Sequence, residues 1–139
     1  MILLDTDVVS ALMRLQPEQS VVQWLDRQPP PSVWITSITL MEIRYGLQTM
    51  PRSLRQEAMA KTFEVLLDAK LDGRVASFDS EAAQQAAILM ALRKAKGRPG
   101  DVKDTMIAGI VLASRATLAT RNTSHFEDLS VAVVNPWKD

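Results

Sequence analysis

Short apolar runs alternate along this chain with longer segments of helical periodicity, and that order leaves few folds open. When each strand is followed by a helix, the next strand returns parallel to the last, and helices cover both faces of the sheet. Ile2, Leu3 and Leu4 form the first run, a buried strand that ends on an acid, Asp5. Asp7 is placed to cap a helix over residues 8–15, which Pro17 stops. A second helix is expected over residues 18–27, before the break at Pro29, Pro30 and Pro31. Residues 33–36 read as the second strand. Ser37 or Thr39 can start a helix to about residue 50, which Pro51 closes. Residues 53–71 read as one long helix, ended by the Asp72-Gly73 turn, and residues 74–78 as a short strand. Two further helices, over residues 80–96 and from 101 or 103 to 113, flank the loop Gly97-Arg98-Pro99-Gly100. Residues 117–120 and 130–134 are the last strands. The expectation is one α/β domain over residues 1–139, with a mostly parallel sheet and helices on both faces.

Composition narrows the chemistry. None of the 139 residues is Cys, so disulfides, thiolate catalysis and Cys-ligated metals are excluded. With His125 the sole histidine, a multi-His metal site is excluded too. The N-terminus reaches an acid at Asp5 with no basic run before it, unlike a signal peptide. The longest stretch of apolar residues and glycine, 106–113, is far short of the ~20 residues that span a bilayer. A cytoplasmic protein without a membrane segment is therefore expected. Lys and Arg number 16 and so do Asp and Glu, which argues against global attraction to nucleic acid but leaves room for a local basic rim.

Ligands of an open parallel sheet bind beyond the carboxyl ends of its strands. The polar residues there are Asp5 and Asp7, Thr36 and Ser37, and Thr120 and Asn122. Neither of the Gly-rich phosphate loops, GxGxxG and GxxxxGK[ST], is present. Two more acids occupy unusual positions. Glu42 shares a helical face with Ile38, Tyr45 and Gly46, and Asp104 shares one with Ile107, Ala108 and Val111. A carboxylate on an inward face must be paired, protonated or bound to a cation. Were Asp5, Glu42 and Asp104 to converge, two charges ~4 Å apart would cost about 4 kcal/mol at an effective dielectric of ~20. A hard cation, Mg²⁺ or Mn²⁺, relieves that repulsion and suits oxygen ligands.

Each residue also has a plain structural reading. Asp5 could end a strand and Asp7 cap a helix. Glu42 could pair with Arg44 or Arg121, and Asp104 could complete a helix start with Asp101. Arg93, Lys94, Lys96 and Arg98 could be a solvated helix end complementing its dipole, or a rim for RNA phosphates, with Arg121 either on phosphate or holding an acid. His125 reads as a loop residue, Trp24, Trp34 and Trp137 as core or interface anchors, and the seven Met residues as core filler.

The segments ILLDTDVVS, ITLMEIRYG, VKDTMIAGIVLA and LATRNTSHF, the last followed by a strand and NPW, resemble the PIN-domain ribonucleases in order and spacing over essentially the whole chain. They look most like the toxins of VapBC (FitAB-type) toxin–antitoxin pairs. The resemblance implies a PIN-like fold, with a parallel sheet of four or five strands and helices on both faces. It implies a Mg²⁺- or Mn²⁺-dependent endoribonuclease acting in the cytoplasm on transfer or ribosomal RNA. Carried over, Asp5, Glu42 and Asp104 are the catalytic acids, with Asp5 and Asp104 holding the metal and Thr6 and Thr120 orienting the acids. The fourth catalytic position, often Asp in the family, is Asn122, which can still hydrogen-bond a metal-bound water or ligate weakly; Asp7 stands where the family often has Asn and can partly replace the missing charge. The family further implies a homodimer and a small VapB/FitA-like antitoxin, through which alone DNA is contacted. Two other readings compete. Asp5-Thr6-Asp7-Val8-Val9 also matches the DxDx[TV] start of haloacid-dehalogenase-type phosphatases, with Asp5 as nucleophile, but leaves Glu42 unexplained. A catalytically weak PIN-like module that binds RNA or a partner is the non-enzymatic alternative.

Overall fold

A computed structural model describes residues 1–139. The strands are β1 (Ile2–Leu4), β2 (Val33–Thr36), β3 (Val75–Ala76), β4 (Thr117–Ala119) and β5 (Val133–Val134). The helices are α1 (Thr6–Met13), α2 (Gln19–Asp26), α3 (Ser37–Thr49), α4 (Leu54–Val65), α5 (Ser80–Ala95) and α6 (Val102–Ser114). All four strand pairings are parallel, in the order β3-β2-β1-β4-β5, as the alternation of elements requires. No helix is long and apolar enough to cross a membrane.

Because successive side chains leave a strand on opposite faces, Leu3 and Leu4 belong to different cores. Leu4 packs with Val8, Val9, Trp24, Leu25, Ile43 and Phe63 from α1 to α4. Leu3 packs on the other face with Leu89 of α5, Ile107, Ile110 and Val111 of α6, and Phe126. The 3-10 turn Thr123–Phe126, between β4 and β5, brings Phe126 into that second core. Helices α5 and α6 are packed tightly at Gly109, where a Cβ would lie 2.5 Å from the Ala82 carbonyl oxygen and 2.8 Å from the Ala86 Cβ.

Several boundaries differ from expectation. Asp5, not Asp7, caps α1: its Oδ1 accepts from the Thr6 amide at 2.8 Å, so the helix begins two residues early and Asp7 lies in its first turn. Thr36 caps α3, accepting from the Thr39 amide at 3.0 Å, in place of Ser37 or Thr39. Ser37 instead accepts from the Phe78 amide at 3.0 Å and ties the start of α3 to the segment after β3. The long helix over 53–71 changes at Leu66–Lys70 into a π turn, with the Leu71 amide bonded to the Leu66 carbonyl at 3.0 Å. That wider turn keeps Leu66 and Leu71 both buried, although residues five apart face different sides of an ordinary helix. The last strand is only Val133–Val134, paired with Leu118 and Ala119 of β4.

Candidate active site

The register of the central strands assembles the site. Leu4 lies opposite Ala119, and the Asp5 amide continues the ladder to the Ala119 carbonyl at 2.9 Å. Asp5 and Thr120 are thus the first residues beyond two adjacent strands. The Thr120 hydroxyl donates to Asp5 Oδ2 at 2.8 Å and accepts from the Asn122 amide at 3.0 Å. Asp5 is 5% exposed. Burial, and then the charge of Asp7, push its carboxyl up to about 7, against the Thr120 and Thr6 hydrogen bonds and with a further push from Asp104. Asp7 accepts from the Arg121 amide through Oδ2 at 3.0 Å, while its Oδ1 is buried without a partner. Burial raises the Asp7 carboxyl as well.

Glu42 joins this centre through Thr6, whose hydroxyl donates to Oε1 at 2.9 Å. Thr6 has one proton to give, so the Thr39 hydroxyl, 3.0 Å away, donates to Thr6, and the Thr36 hydroxyl donates to Thr39 at 3.3 Å. A relay of three threonines therefore aims at Glu42. The other Glu42 oxygen lies 3.7 Å from Lys103 Nζ. Neither arginine considered for Glu42 pairs with it: Arg44 pairs with Glu64, and the Arg121 guanidinium stacks 5.0 Å above the Trp137 ring. The face around Glu42 is also less apolar than its spacing suggests, since Tyr45 is 70% exposed. Asp104 does complete the helix start, its amide donating to Asp101 Oδ1 at 3.0 Å, yet its carboxylate faces outward to His125 Nδ1 at 3.1 Å. The two roles use different atoms and coexist.

Thr39, Lys103 and His125 are the neighbours that sequence reasoning passed over. Thr39 carried the signal of a polar residue one turn into a helix that starts at a strand end. Lys103 and His125 gave none, because each meets its partner, Glu42 and Asp104, only through the fold.

The basic residues separate. Lys96 and Arg98 are exposed and line a cleft of about 320 Å³ whose wall includes Asp104 and His125. Lys94 and Arg121 are exposed as well. Arg93 is not a surface residue: it is 6% exposed, and its guanidinium is engaged with Asp128, Thr105 and the His125 carbonyl. The position expected to contact RNA is instead structural, because residue 93 falls on the α5 face turned toward α6. Its partnership holds the Asp128 carboxyl below the ordinary range. Asn122 is exposed, and its side chain caps nothing.

The donor set suits a hard divalent cation: carboxylates crowded enough to repel, one carboxylate oxygen buried without a partner, and no sulfur. No three His, Asp or Glu side chains are already gathered at ion-holding distance, so an ion held there would need the side chains to shift.

The parallel sheet in this order, with acids beyond its central strands, agrees with the PIN domain family model, which matches residues 2–131. The chain belongs to the PIN-domain family. It is similar at full length to the toxin FitB of Neisseria gonorrhoeae, 34% identical over 100% of both chains. It is similar also to the VapC ribonuclease Y4jK of Sinorhizobium fredii, 36% identical over 99% of each. Its fold superposes on the structure of FitAB bound to an IR36 DNA fragment with a TM-score of 0.89 and 33% identity, covering 100% of this chain and 97% of that one.

Proposed function

We propose that residues 1–139 act as one PIN domain, a Mg²⁺- or Mn²⁺-dependent endoribonuclease toxin of the cytoplasm that cleaves transfer or ribosomal RNA. The observation that carries this reading is the meeting of Asp5, Asp7, Thr6–Glu42 and Thr120 at one sheet edge, with Asp104 acting on Asp5 across it. Asp5 and Asp104 would hold the ion, with Glu42 and Asp7 beside them. When bound, such an ion lowers the pKa of a water nucleophile and neutralises charge on the phosphate.

The protein's own groups do the positioning. Thr120 fixes one Asp5 oxygen, and the Thr36–Thr39–Thr6 relay fixes Glu42. Lys94, Lys96, Arg98 and Arg121 offer exposed positive charge to the RNA backbone, and the free Asn122 amide can hydrogen-bond at the rim. The similarity to the toxin FitB, and to FitAB bound to DNA, supports a cognate VapB/FitA-like antitoxin; the homodimer, and DNA contact through the antitoxin alone, are what the family resemblance implies. The phosphatase reading has no use for Glu42, and its family is a different one.

Cleavage of a total transfer-RNA pool by wild type and Asp5→Ala, each freed of bound partner and supplied with Mg²⁺, Mn²⁺ or EDTA, tests the proposal. Metal-dependent cutting that Asp5→Ala loses is expected. Equal cutting in EDTA would remove the metal from the mechanism. The binding-module reading draws on Asn122, which supplies no charge, and it would be favoured by RNA binding in EDTA with no cleavage under any metal.

A further inference from the structure

Arg93 ends up buried among exposed neighbours, Lys94 and Lys96, on the last turn of α5. Its guanidinium meets three residues from two distant parts of the chain. Nε and Nη2 donate to the two oxygens of Asp128, both at 2.8 Å, as a planar fork. Nη1 donates to the Thr105 hydroxyl at 3.1 Å, and that hydroxyl donates to the Asp101 carbonyl at 2.9 Å. Nη2 also donates to the His125 carbonyl at 3.0 Å. The loop after α5 closes over the group: the Arg98 amide bonds to the Arg93 carbonyl at 2.8 Å, and Gly100, with φ +69°, passes so near that a Cβ would lie 3.4 Å from Nη1.

Two of these contacts flank the site. Thr105 follows Asp104 in the chain, and the His125 carbonyl belongs to the residue whose ring meets the Asp104 carboxylate. One side chain thus grips the Thr105 hydroxyl, next to Asp104 in the chain, and the His125 backbone carbonyl, on either side of the Asp104–His125 contact. A buried ion pair adds little stability over well-packed apolar side chains, whereas a forked guanidinium fixes direction and distance at once. We propose that Arg93 is a positioning residue of the nuclease centre: clamped to Asp128, it holds the His125 turn against the start of α6 and so sets where the Asp104 carboxylate points. This rests on the nuclease reading of Asp104, but the geometry can be read without any activity.

His125 is the only histidine, so its ring gives isolated NMR signals. At one fixed pH without metal, Arg93→Met is expected to move those signals most of the way to their positions in Asp104→Asn, with Arg93→Lys in between. Asp128→Asn, at a less buried position, serves where Arg93→Met does not fold, and should shift the ring in the same direction by less. In Mg²⁺, kcat should fall at least tenfold in Arg93→Met with KM kept within about twofold. Ring signals that stay at their wild-type positions in folded Arg93→Met or Asp128→Asn would overturn the proposal. So would an unchanged kcat beside a lowered Tm, the mark of a purely structural pair. An inactive wild type would sink the nuclease reading alone, since the ring signals decide the clamp separately.

Discussion

The Asp5 carboxylate starts a helix and faces a second acid with the same two oxygens. Oδ1 caps α1, Oδ2 takes the Thr120 proton, and the group is buried beside Asp7. In the folded protein its carboxyl is pushed up to about 7 from 3.8. The folded state therefore binds this proton more tightly than the unfolded chain. Its stabilising contribution is full below 3.8 and is lost as pH rises to about 7. At ~1.4 kcal/mol per unit, neutral pH leaves a penalty of up to ~4 kcal/mol. Asp5→Asn keeps the capping oxygen and removes the charge. It should raise the metal-free Tm at neutral pH and flatten its fall across that window, while abolishing cleavage. Melting curves in EDTA across the window would show it, and a variant less stable than wild type at neutral pH would contradict the account.

Among the elements, the α5–α6 pair carries the far side of the site, because α6 presents Asp104 and α5 presents Arg93. The helices close on each other at Gly109, where the Ala82 carbonyl and Ala86 leave no room for a side chain. Gly109→Ala should destabilise the protein by about 1–3 kcal/mol through overpacking, despite the better helix propensity of alanine. Adding Ala86→Gly should restore only part of that, since the Ala82 carbonyl still collides. Urea unfolding of the single and double variants measures both effects, and a stabilised single variant would show that the helices separate at little cost. Element positions were largely legible in the sequence. Prolines 17, 29 and 51 and the Asp72-Gly73 turn mark real ends. The start of α1 was misread, because Asp5 and Asp7 are both good caps and only the actual backbone at Asp5, extended at ψ 162°, selects the first.

At the scale of the whole molecule, Asp5 is repelled by its neighbour Asp7 and, more weakly, by Asp104 from a distant segment, and that repulsion is part of the folding balance. A divalent cation that binds only the folded arrangement adds stability by mass action, ~2.7 kcal/mol at a hundredfold excess over Kd. Mg²⁺ or Mn²⁺ is therefore expected to raise the Tm of wild type and to leave that of Asp104→Asn nearly unmoved. Thermal melts with each metal against EDTA test this, and an equal rise in both proteins would place the ion elsewhere.

The alternation of apolar runs and helices determined the parallel sheet, since a strand that returns through a helix has no other low-energy route. Oddly placed acids made Asp5, Glu42 and Asp104 the candidates, because a carboxylate among apolar neighbours is anomalous, although only Asp5 of the three is buried. Partners were decided only by tertiary structure. Glu42 meets Lys103 and Thr6, not Arg44 or Arg121; Asp104 meets His125; and Arg93 turns inward to Asp128. Hydrogen bonds reach about 3 Å, while these residues lie up to 61 positions apart in the chain, so no local pattern records them. The sheet register and the α5–α6 contact bring them together.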